Sequence, residues 1–254
     1  MLGLVRSAAV ALAVLVAAPA AMAAQSEISL PEVDWSFDGF FGTYDKAQLQ
    51  RGLQVFREVC SACHALDLVA FRNLSALGYS EAQVKALAAE YQVTDGPNDA
   101  GDMFQRPGIP ADHFPAPFAN EKAARAANGG AYPPNLSLIA KAREGGPTYV
   151  HALLNGYRDA PADVQMTEGM YYNLYFPGHQ IAMAPPLSDG QVTYADGTRA
   201  SVDQMGKDVS AFLMWAAEPH LEQRKQMGMK VLLFLLVFTG LMYAAKRRVW
   251  RDLH

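Results

Sequence analysis

Apolar residues recur at helical spacing in two segments that lie far apart along the chain. The first stripe follows Asp45 and consists of Leu49, Leu53, Phe56, Val59 and Cys60. The second follows Ser201 and consists of Val202, Met205, Val209, Phe212, Leu213 and Ala216. Asp45 and Ser201 are N-capping residues, and each has a glutamine three positions later, the pattern of a capping box. Because Gly52 costs about 1 kcal/mol of helix propensity relative to alanine, we expect the second helix to cross the first closely there.

Weaker patterns between these stripes predict four shorter helices. They cover residues 80–90, 121–128, 136–143 and 148–155. Two of them end at glycine, the second before residues 129 and 130 and the fourth before residue 156. The fold class predicted is therefore mostly α.

Three other segments are predicted to be non-helical. Residues 95–117 are dense in Gly, Pro and Asp and predict a long loop. The Ala195-Asp196-Gly197 turn between β-prone residues predicts a small surface β-hairpin over residues 191–201. Residues 25–42 predict an extended arm that packs Trp35, Phe40 and Phe41 on the domain.

Both ends of the chain contain apolar segments. Arg6 precedes a run of small apolar residues and an Ala-x-Ala exit, which predicts a cleaved secretory signal over residues 1–24. A first transmembrane helix is a weaker interpretation because the run is short and rich in alanine. Residues 231–245 are apolar on every face and, with the preceding turn, are long enough to span a bilayer. The basic residues 246–248 place the C-terminus in the cytoplasm.

These ends divide the chain into three predicted parts. Residues 1–24 are the signal peptide, residues 25–221 a periplasmic domain, and residues 222–254 a single transmembrane anchor with a short cytoplasmic tail. The predicted location is the bacterial inner membrane.

Charge is distributed unevenly between the domain and the anchor. Residues 24–221 contain 13 Lys and Arg against 23 Asp and Glu, whereas residues 222–254 contain 7 against 2. An acidic domain argues against a nucleic-acid partner. It would attract a basic protein, although an acidic surface can also serve solubility alone.

The two cysteines of the chain lie in one short motif, Cys60-Ser61-Ala62-Cys63-His64. This C-x-x-C-H pattern is an attachment site for c-type haem. Two thiols about one helical turn apart can each form a thioether with a vinyl group of one porphyrin, and the adjacent imidazole can bind its iron. The sequence therefore predicts one covalently attached haem c per chain, with His64 as an iron ligand. Residues 25–221 are thus predicted to be a periplasmic c-type haem domain.

Three weaker interpretations of the motif compete with haem attachment. A thioredoxin-type C-x-x-C needs a βαβ context and gives the histidine no role. A zinc site needs about four ligands, so Cys60 and Cys63 would have to be joined by histidines from elsewhere. A chance occurrence is the third.

The sixth ligand of the iron is less clearly marked, because the chain has eleven methionines and five other histidines. Met183 stands out, since Pro185 and Pro186 stiffen the backbone beside it. A thioether sulfur favours ferrous iron and raises the potential. By residue chemistry, Met183 is favoured, while His179 and an open coordination site remain alternatives.

The order helix, C-x-x-C-H and C-terminal helix resembles class I c-type cytochromes. Further segments make the resemblance specific to one family of these cytochromes. They are RGLQVFREVC at 51–60, AANGGAYPPNLS at 126–137, AREGG at 142–146, LLNGY at 153–157, YYNLYFPG at 171–178 and IAMAPPL at 181–187. With these segments and one C-terminal anchor, nearly the whole mature chain resembles the cytochrome c1 family. That family supplies the haem subunit of the ubiquinol–cytochrome c oxidoreductase (bc1) complex.

The resemblance implies roles for individual residues. Cys60 and Cys63 would form the thioethers, with His64 and Met183 as the metal ligands. Arg143 matches an arginine that pairs with a haem propionate, although an ordinary solvated helix arginine is the plain alternative. The positions lining the haem pocket are matched by Asn128, Pro133, Pro134, Leu136 and Tyr149. Ala184 stands where the family often has proline, which would loosen the Met183 segment slightly without threatening the ligand. The chain also has neither the extra cysteine pair nor the long acidic insertion of some bacterial relatives, so stiffening of that segment must come from packing.

The resemblance also implies a function. The chain would be an electron carrier that passes one electron from the Rieske iron–sulfur protein to a soluble c-type cytochrome, within a dimeric respiratory or photosynthetic complex containing cytochrome b. Two other functions remain open. A membrane-tethered shuttle cytochrome would serve a terminal oxidase, and a haem enzyme or gas sensor would keep its distal site open.

Overall fold

The computed structural model describes residues 28–251, so the predicted signal over residues 1–24 lies outside the described residues. Seven α-helices are described: α1 (Lys46–Glu58), α2 (Glu81–Ala89), α3 (Glu121–Ala127), α4 (Ile139–Ala142), α5 (Gly146–Asn155), α6 (Val202–Ala217) and α7 (Leu221–Val249). Two 3₁₀ segments are Cys60–Ala62 and Phe71–Leu77. Two antiparallel sheets pair β1 (Gln92–Asp95) with β2 (Phe104–Pro107) and β3 (Tyr171–Tyr172) with β4 (Gln180–Ile181). The prediction of a mostly helical domain is confirmed.

The predicted caps start the two principal helices, α1 and α6. The Asp45 carboxylate accepts the first free N–H groups of α1, and the Ser201 hydroxyl accepts the N–H of Gln204. Neither glutamine returns a bond to its cap in the structure. The Gln204 amide instead donates to Asp208 Oδ1 at 2.9 Å, because that carboxylate is buried and needs donors.

Helices α1 and α6 cross in direct backbone contact at Gly52. A Cβ atom added there would lie 2.1 Å from the Asp208 carbonyl oxygen and 2.6 Å from Phe212 Cβ. The predicted close crossing is confirmed. The gain in packing explains why a residue with poor helix propensity stands in the middle of α1.

Aromatic rings fill the space around the crossing. Phe56 of α1 lies 5.9 Å from Phe212 of α6 and 6.0 Å from Phe114, measured between ring centroids. Phe114 contacts Phe71 in turn, at 4.5 Å. These rings are buried, and they join the crossing to the 3₁₀ segment that follows the cysteine motif.

A buried ion pair also links α1 to α6. Asp208 is fully buried, with 0% of its surface exposed. Arg51 donates to both of its carboxylate oxygens, at 2.9 and 3.2 Å, and also contacts Asp196 at 2.8 Å. This two-pronged contact offsets the cost of removing the carboxylate from water.

The predicted hairpin over residues 191–201 is wrong. That segment has no strand, although Gly197 N–H donates to the Tyr194 carbonyl in a turn. Val192 and Tyr194 are buried in the core, and Arg51 binds Asp196 of the turn. Long-range contacts with α1 therefore replace the cross-strand pairing that the local pattern indicated.

Two other segments differ from their predicted form. The expected loop over residues 95–117 contains strand β2, which pairs with β1, and Arg106 holds this hairpin by contacts to Asp95 and Asp112. The expected helix over residues 136–143 shortens to α4. The backbone angles set its limits, because Leu138 before the helix (φ −121°, ψ 8°) and Arg143 after it (φ −121°, ψ 138°) are not helical.

The N-terminal arm packs only part of its predicted aromatic set. Trp35 is buried and its indole N–H donates to Thr148 at 2.9 Å, as expected. Phe40 and Phe41 are 47% and 82% exposed, so the prediction that they pack on the domain is wrong. A hydrogen bond from Thr43 N–H to the Ser36 carbonyl closes a loop over residues 36–43, and Phe40 and Phe41 lie at the exposed end of this loop.

Helix α7 leaves the domain through a short, bonded joint of three residues. The Tyr44 hydroxyl donates to the carbonyls of Met214 and Glu218, at 3.3 and 3.1 Å. The Glu218 carboxylate binds Lys141 at 2.8 Å and Arg224 at 2.5 Å. These contacts fix the direction in which α7 departs from the domain.

Helix α7 is the one helix among residues 28–251 that is long and apolar enough to cross a membrane. Its most apolar 18 residues have a mean hydropathy of 1.9, and none of them is buried against the domain. Its last turn carries Lys246, Arg247 and Arg248. The helix fits a single membrane span.

Replacing Gly52 by alanine should destabilise the protein, because the new methyl group would force α1 and α6 apart. We expect a loss of about 1–3 kcal/mol, the usual cost of overpacking. Circular dichroism of the full chain in detergent should show this as a Tm lowered by about 2–10 °C.

The control for this substitution is Gly228→Ala, since a Cβ atom there would have no atom from outside the local helix backbone within 4 Å. Its Tm should be unchanged or slightly raised. Equal effects of the two substitutions would contradict the close crossing.

Replacing Arg51 by methionine should leave the buried Asp208 carboxylate without its cation. We expect the free energy of unfolding to fall by about 3–5 kcal/mol, measured by urea denaturation. Arg125→Met is the matched control, since Arg125 pairs with Glu121 on the exposed surface of α3, and it should cost less than about 1 kcal/mol. A similar small loss for both variants would show that the Asp208 carboxylate does not depend on Arg51.

Candidate functional site

The cysteine motif lies in a tight turn at the end of α1. The helix ends at Glu58, and the chain continues into the 3₁₀ segment Cys60–Ala62. Cys63 N–H and His64 N–H both donate to the Cys60 carbonyl, at 3.2 and 2.9 Å. The prediction that the first helix carries the motif at its C-terminal end is confirmed.

The two thiols are free and differ in environment. They form no disulfide. Burial, with a smaller contribution from Cys63, raises the pKa of the Cys60 thiol to about 12, while Cys63 is exposed. Among residues 28–251 no group of three or more His, Cys, Asp and Glu could hold a metal ion. The additional ligands that a zinc site would require are therefore missing from the described part of the chain.

His64 is oriented by a backbone carbonyl from a distant part of the sequence. Its Nδ1 lies 2.8 Å from the Pro134 carbonyl oxygen. A carbonyl oxygen accepts hydrogen bonds, so Nδ1 carries the proton and Nε2 has the free lone pair. Burial lowers the pKa of His64, although the Pro134 carbonyl acts in the opposite direction. The side chain is a neutral imidazole with Nε2 ready to bind a metal.

The segment that contains Pro134 lies directly against the motif. Leu136 N–H donates to the carbonyl of Ala65, the residue after the motif histidine. Pro133 and Cys63 both line a cavity of about 230 Å³. The structure therefore brings three predicted pocket residues (Pro133, Pro134 and Leu136) to the motif.

Asn128 lies at the end of α3, where this segment begins. Its side-chain amide donates to the Ala124 carbonyl at 2.7 Å. Gly129 and Gly130 follow with φ angles of +59° and +89°, which turn the chain away from the helix axis. Asn128 thus ends the helix that precedes the proline segment.

Arg143 and Tyr149 lie beside each other at the start of α5. Burial raises the pKa of Tyr149, and the positive charge of Arg143 acts in the opposite direction. Arg143 is exposed, and its guanidinium donates to the neighbouring Ala142 carbonyl at 3.2 Å. Within the described residues it has no carboxylate partner, so its charge is available to an anionic group.

Met183 lies on a segment held by hydrogen bonds from a helix end and a short sheet. The Tyr157 hydroxyl donates to the Met183 carbonyl at 3.0 Å. Ile181, two residues earlier, pairs with Tyr171 in the β3–β4 sheet. The methionine is half-buried. The backbone of this residue is therefore fixed from two sides.

Asn173 organises the β3–β4 turn that leads to Met183. This residue is fully buried; its amide donates to the Leu153 carbonyl at 2.8 Å, and its Oδ1 accepts Tyr175 N–H at 3.0 Å. A Cβ atom on Gly156 would lie 2.7 Å from that Oδ1. The sequence offered no local signal for this role, because the partners of Asn173 include a carbonyl twenty residues away.

His179, the alternative ligand, has contacts within the same turn. Its ring stacks on Tyr172 at a centroid distance of 5.5 Å, and Nδ1 lies 3.1 Å from the Asn173 carbonyl oxygen. Its φ angle of +58° places it at the tight bend before β4. These contacts give His179 a structural role in the turn.

Together these groups form a donor set that fits a c-type haem. Two free thiols lie on one turn, and a neutral imidazole follows them with Nε2 unprotonated. Thioether addition would consume the thiols, and the Met183 thioether is the soft donor that could serve as a second iron ligand. An unpaired guanidinium suits the carboxylates that a porphyrin carries.

Comparison with known proteins gives a consistent result. A family model described as the Cytochrome C1 family matches residues 35–253. The chain is 56% identical over 249 residues to cytochrome c1 of Rhodospirillum rubrum, an alignment covering 92% of each chain. It is 53% identical to cytochrome c1 1, heme protein, mitochondrial, of Arabidopsis thaliana (89% of this chain, 73% of the relative). It is 49% identical to the cytochrome b-c1 complex catalytic subunit, mitochondrial, of Candida albicans (92% and 81%).

Proposed function

Because this chain belongs to the cytochrome c1 family, we propose that it is the electron-transfer subunit of a cytochrome b-c1 complex. The observation that carries the proposal is the orientation of His64 by the Pro134 carbonyl. A hydrogen bond to Nδ1 fixes the tautomer and the orientation of the ring, so that Nε2 is presented to a metal.

The cofactor proposed is one haem c, attached through thioethers to Cys60 and Cys63. When bound, its iron supplies one-electron chemistry. His64 and Met183 would bind its iron. The hydrogen bond from Tyr157 to the Met183 carbonyl supports this assignment, because it fixes the backbone of a residue whose side chain is otherwise flexible.

The surrounding residues have supporting roles in this proposal. Arg143 would balance the charge of a propionate, with Tyr149 beside it. Pro133, Pro134 and Leu136 would line the haem next to the motif, and Asn128 ends the helix that leads into this segment. An iron held by two strong protein ligands favours electron transfer over catalysis.

The proposed partners follow from the same assignment. Cytochrome b is the membrane neighbour, since a relative is named as a subunit of the cytochrome b-c1 complex. The electron would come from the Rieske iron–sulfur protein and leave on a soluble c-type cytochrome, in a dimeric complex. The excess of acidic residues outside α7 supports a basic acceptor.

We propose that α7 crosses a bacterial inner membrane with the haem domain on the periplasmic side. The basic last turn of α7 supports this orientation, because positively charged residues are retained in the cytoplasm. The proposed parts remain a signal peptide over residues 1–24, a haem domain over residues 25–221 and an anchor over residues 222–254.

The bonded joint between α6 and α7 argues against a tethered shuttle. A shuttle needs a flexible linker that lets its haem domain reach distant partners. Here three residues separate the two helices, and Glu218 among them is bound by both Lys141 and Arg224. The domain is instead held at one position above its span, as a fixed subunit requires.

Replacing Met183 by leucine should remove the soft ligand and open the iron to small molecules. We expect the reduction potential to fall by a few tenths of a volt, a fraction of the roughly 0.8 V over which axial ligands set haem potentials. Redox titration of reduced-minus-oxidised spectra measures the potential. Carbon monoxide should bind to the ferrous variant and leave the parent protein unchanged.

Met170→Leu is the control for the loss of a methionine, because Met170 is exposed and lies just before β3. Its potential should match that of the parent. An unchanged potential in Met183→Leu would exclude Met183 as a ligand. Carbon monoxide binding to the parent would favour a haem enzyme or gas sensor instead.

Neutralising two acids beside the motif should slow electron transfer to a basic c-type cytochrome. Asp67 and Glu121 line the cavity next to Cys63, so Asp67→Asn with Glu121→Gln weakens attraction at that edge. We expect the bimolecular rate, measured by stopped flow, to fall about 3- to 10-fold at low salt and to converge with the parent at high salt.

The control for this pair is Asp99→Asn with Asp102→Asn, which removes the same charge from the loop between β1 and β2. A smaller effect is expected from it. Equal slowing by both pairs would indicate that net charge, rather than a local docking surface, governs the rate.

A further inference from the structure

The loop between Ser36 and Thr43 presents an exposed aromatic pair next to the start of α7. Phe41 is 82% exposed, more than any other large apolar residue among those described, including those of the lipid-facing helix. Phe40 contacts it edge-on at a centroid distance of 5.1 Å. Clustered exposed apolar side chains mark sites of contact with a membrane or with another protein.

The loop is fixed in shape, which rules out a collapse of the pair onto the domain. Thr43 N–H donates to the Ser36 carbonyl at 3.0 Å and closes the loop at its base. A Cβ atom on Gly42 would lie 2.0 Å from the Asp38 carbonyl oxygen, so the turn is closely packed there. Phe37, inside the loop, is buried between Trp35 and Tyr44.

Lys225 of α7 ties the loop to the membrane helix. Its ammonium group lies 2.6 Å from the Phe37 carbonyl, 2.6 Å from the Gly39 carbonyl and 3.2 Å from the Gly42 carbonyl. An ammonium group has three donors, so all three are used by the loop backbone. Phe40 and Phe41 lie between two of these contacts.

The height of Lys225 along α7 places the loop at the edge of the membrane. The uninterrupted apolar run of α7 covers residues 231–245, and a bilayer needs about 20 residues, so the span extends back past Lys230 to about Met227. Met227 lies two residues after Lys225, which is about 3 Å of helix rise. The headgroup layer on each side of a bilayer is roughly 5–7 Å thick. The loop contacts α7 closer to the span than the residue after it does. Tyr44 N–H donates to Glu222, whereas the loop binds Lys225, about one turn nearer to the apolar run.

We propose that Phe40 and Phe41 insert into the interfacial layer of the membrane, and that Lys225 holds them at this depth. Continuity with the spanning helix selects lipid as the occupant. The loop would then act as a second membrane contact beside α7 and fix the rotation of the domain about the helix axis. This inference depends on α7 as a membrane span and is independent of the electron-transfer role.

Spin labelling at position 41 tests the proposal. The full haem-loaded chain carrying Phe41→Cys is labelled with a nitroxide and placed in phospholipid nanodiscs. Power saturation then compares the accessibility of the label to oxygen, which concentrates in lipid, and to a water-soluble nickel chelate. Leu236→Cys, at the centre of the apolar run of α7, is the control within the membrane, and Leu68→Cys, exposed beside the motif, is the control in water.

We expect the oxygen-to-nickel ratio at position 41 to be several-fold higher than at position 68 and lower than at position 236. Lys225→Met should bring the ratio at position 41 toward that at position 68 and leave the ratio at position 236 unchanged. The unsubstituted chain gives the background from Cys60 and Cys63. Labelling of those two thiols would count against thioether attachment. Their signal is subtracted from the spectrum of the Phe41→Cys chain before the depth at position 41 is calculated.

Three results would overturn the inference, the third only for the role of Lys225. A ratio at position 41 equal to that at position 68 means that the loop lies in water. Exclusion of both reagents with an immobilised spectrum, in native membranes as well as in nanodiscs, means that protein covers the pair. A ratio that Lys225→Met leaves unchanged would remove the lysine from the explanation.

Discussion

The crossing of α1 and α6 at Gly52 is the contact on which the rest of the structure depends. Backbone contact at this point brings Arg51 within reach of the buried Asp208 and brings Phe56 against Phe212. It also fixes the end of α1, where the chain turns into the cysteine motif. The position of the functional site is therefore set by packing between two helices that are about 150 residues apart.

Features encoded by neighbouring residues could be predicted from the sequence. The caps at Asp45 and Ser201, the stop at Gly156 and the close approach at Gly52 depend on residue type and helical period, and the structure contains each of them. The C-x-x-C-H motif is equally local. Its presence on one turn after the first helix followed directly from spacing.

Features that depend on distant partners could not be predicted in this way. The turn at residues 195–197 resembles a hairpin locally, yet Arg51 binds Asp196 and the neighbouring Tyr194 is buried. Nothing near His64 indicates that the Pro134 carbonyl, 70 residues later, sets its tautomer. The exposure of Phe41 has the same origin, since Lys225 holds the loop from the other end of the chain.

The short joint between α6 and α7 has a consequence for the way electrons reach this chain. Since Glu218 and Tyr44 brace it, the fold of the domain sets the distance from His64 to the start of α7. A joint of three residues provides no flexible linker that would carry the site toward a partner. A redox partner would therefore have to come to the site.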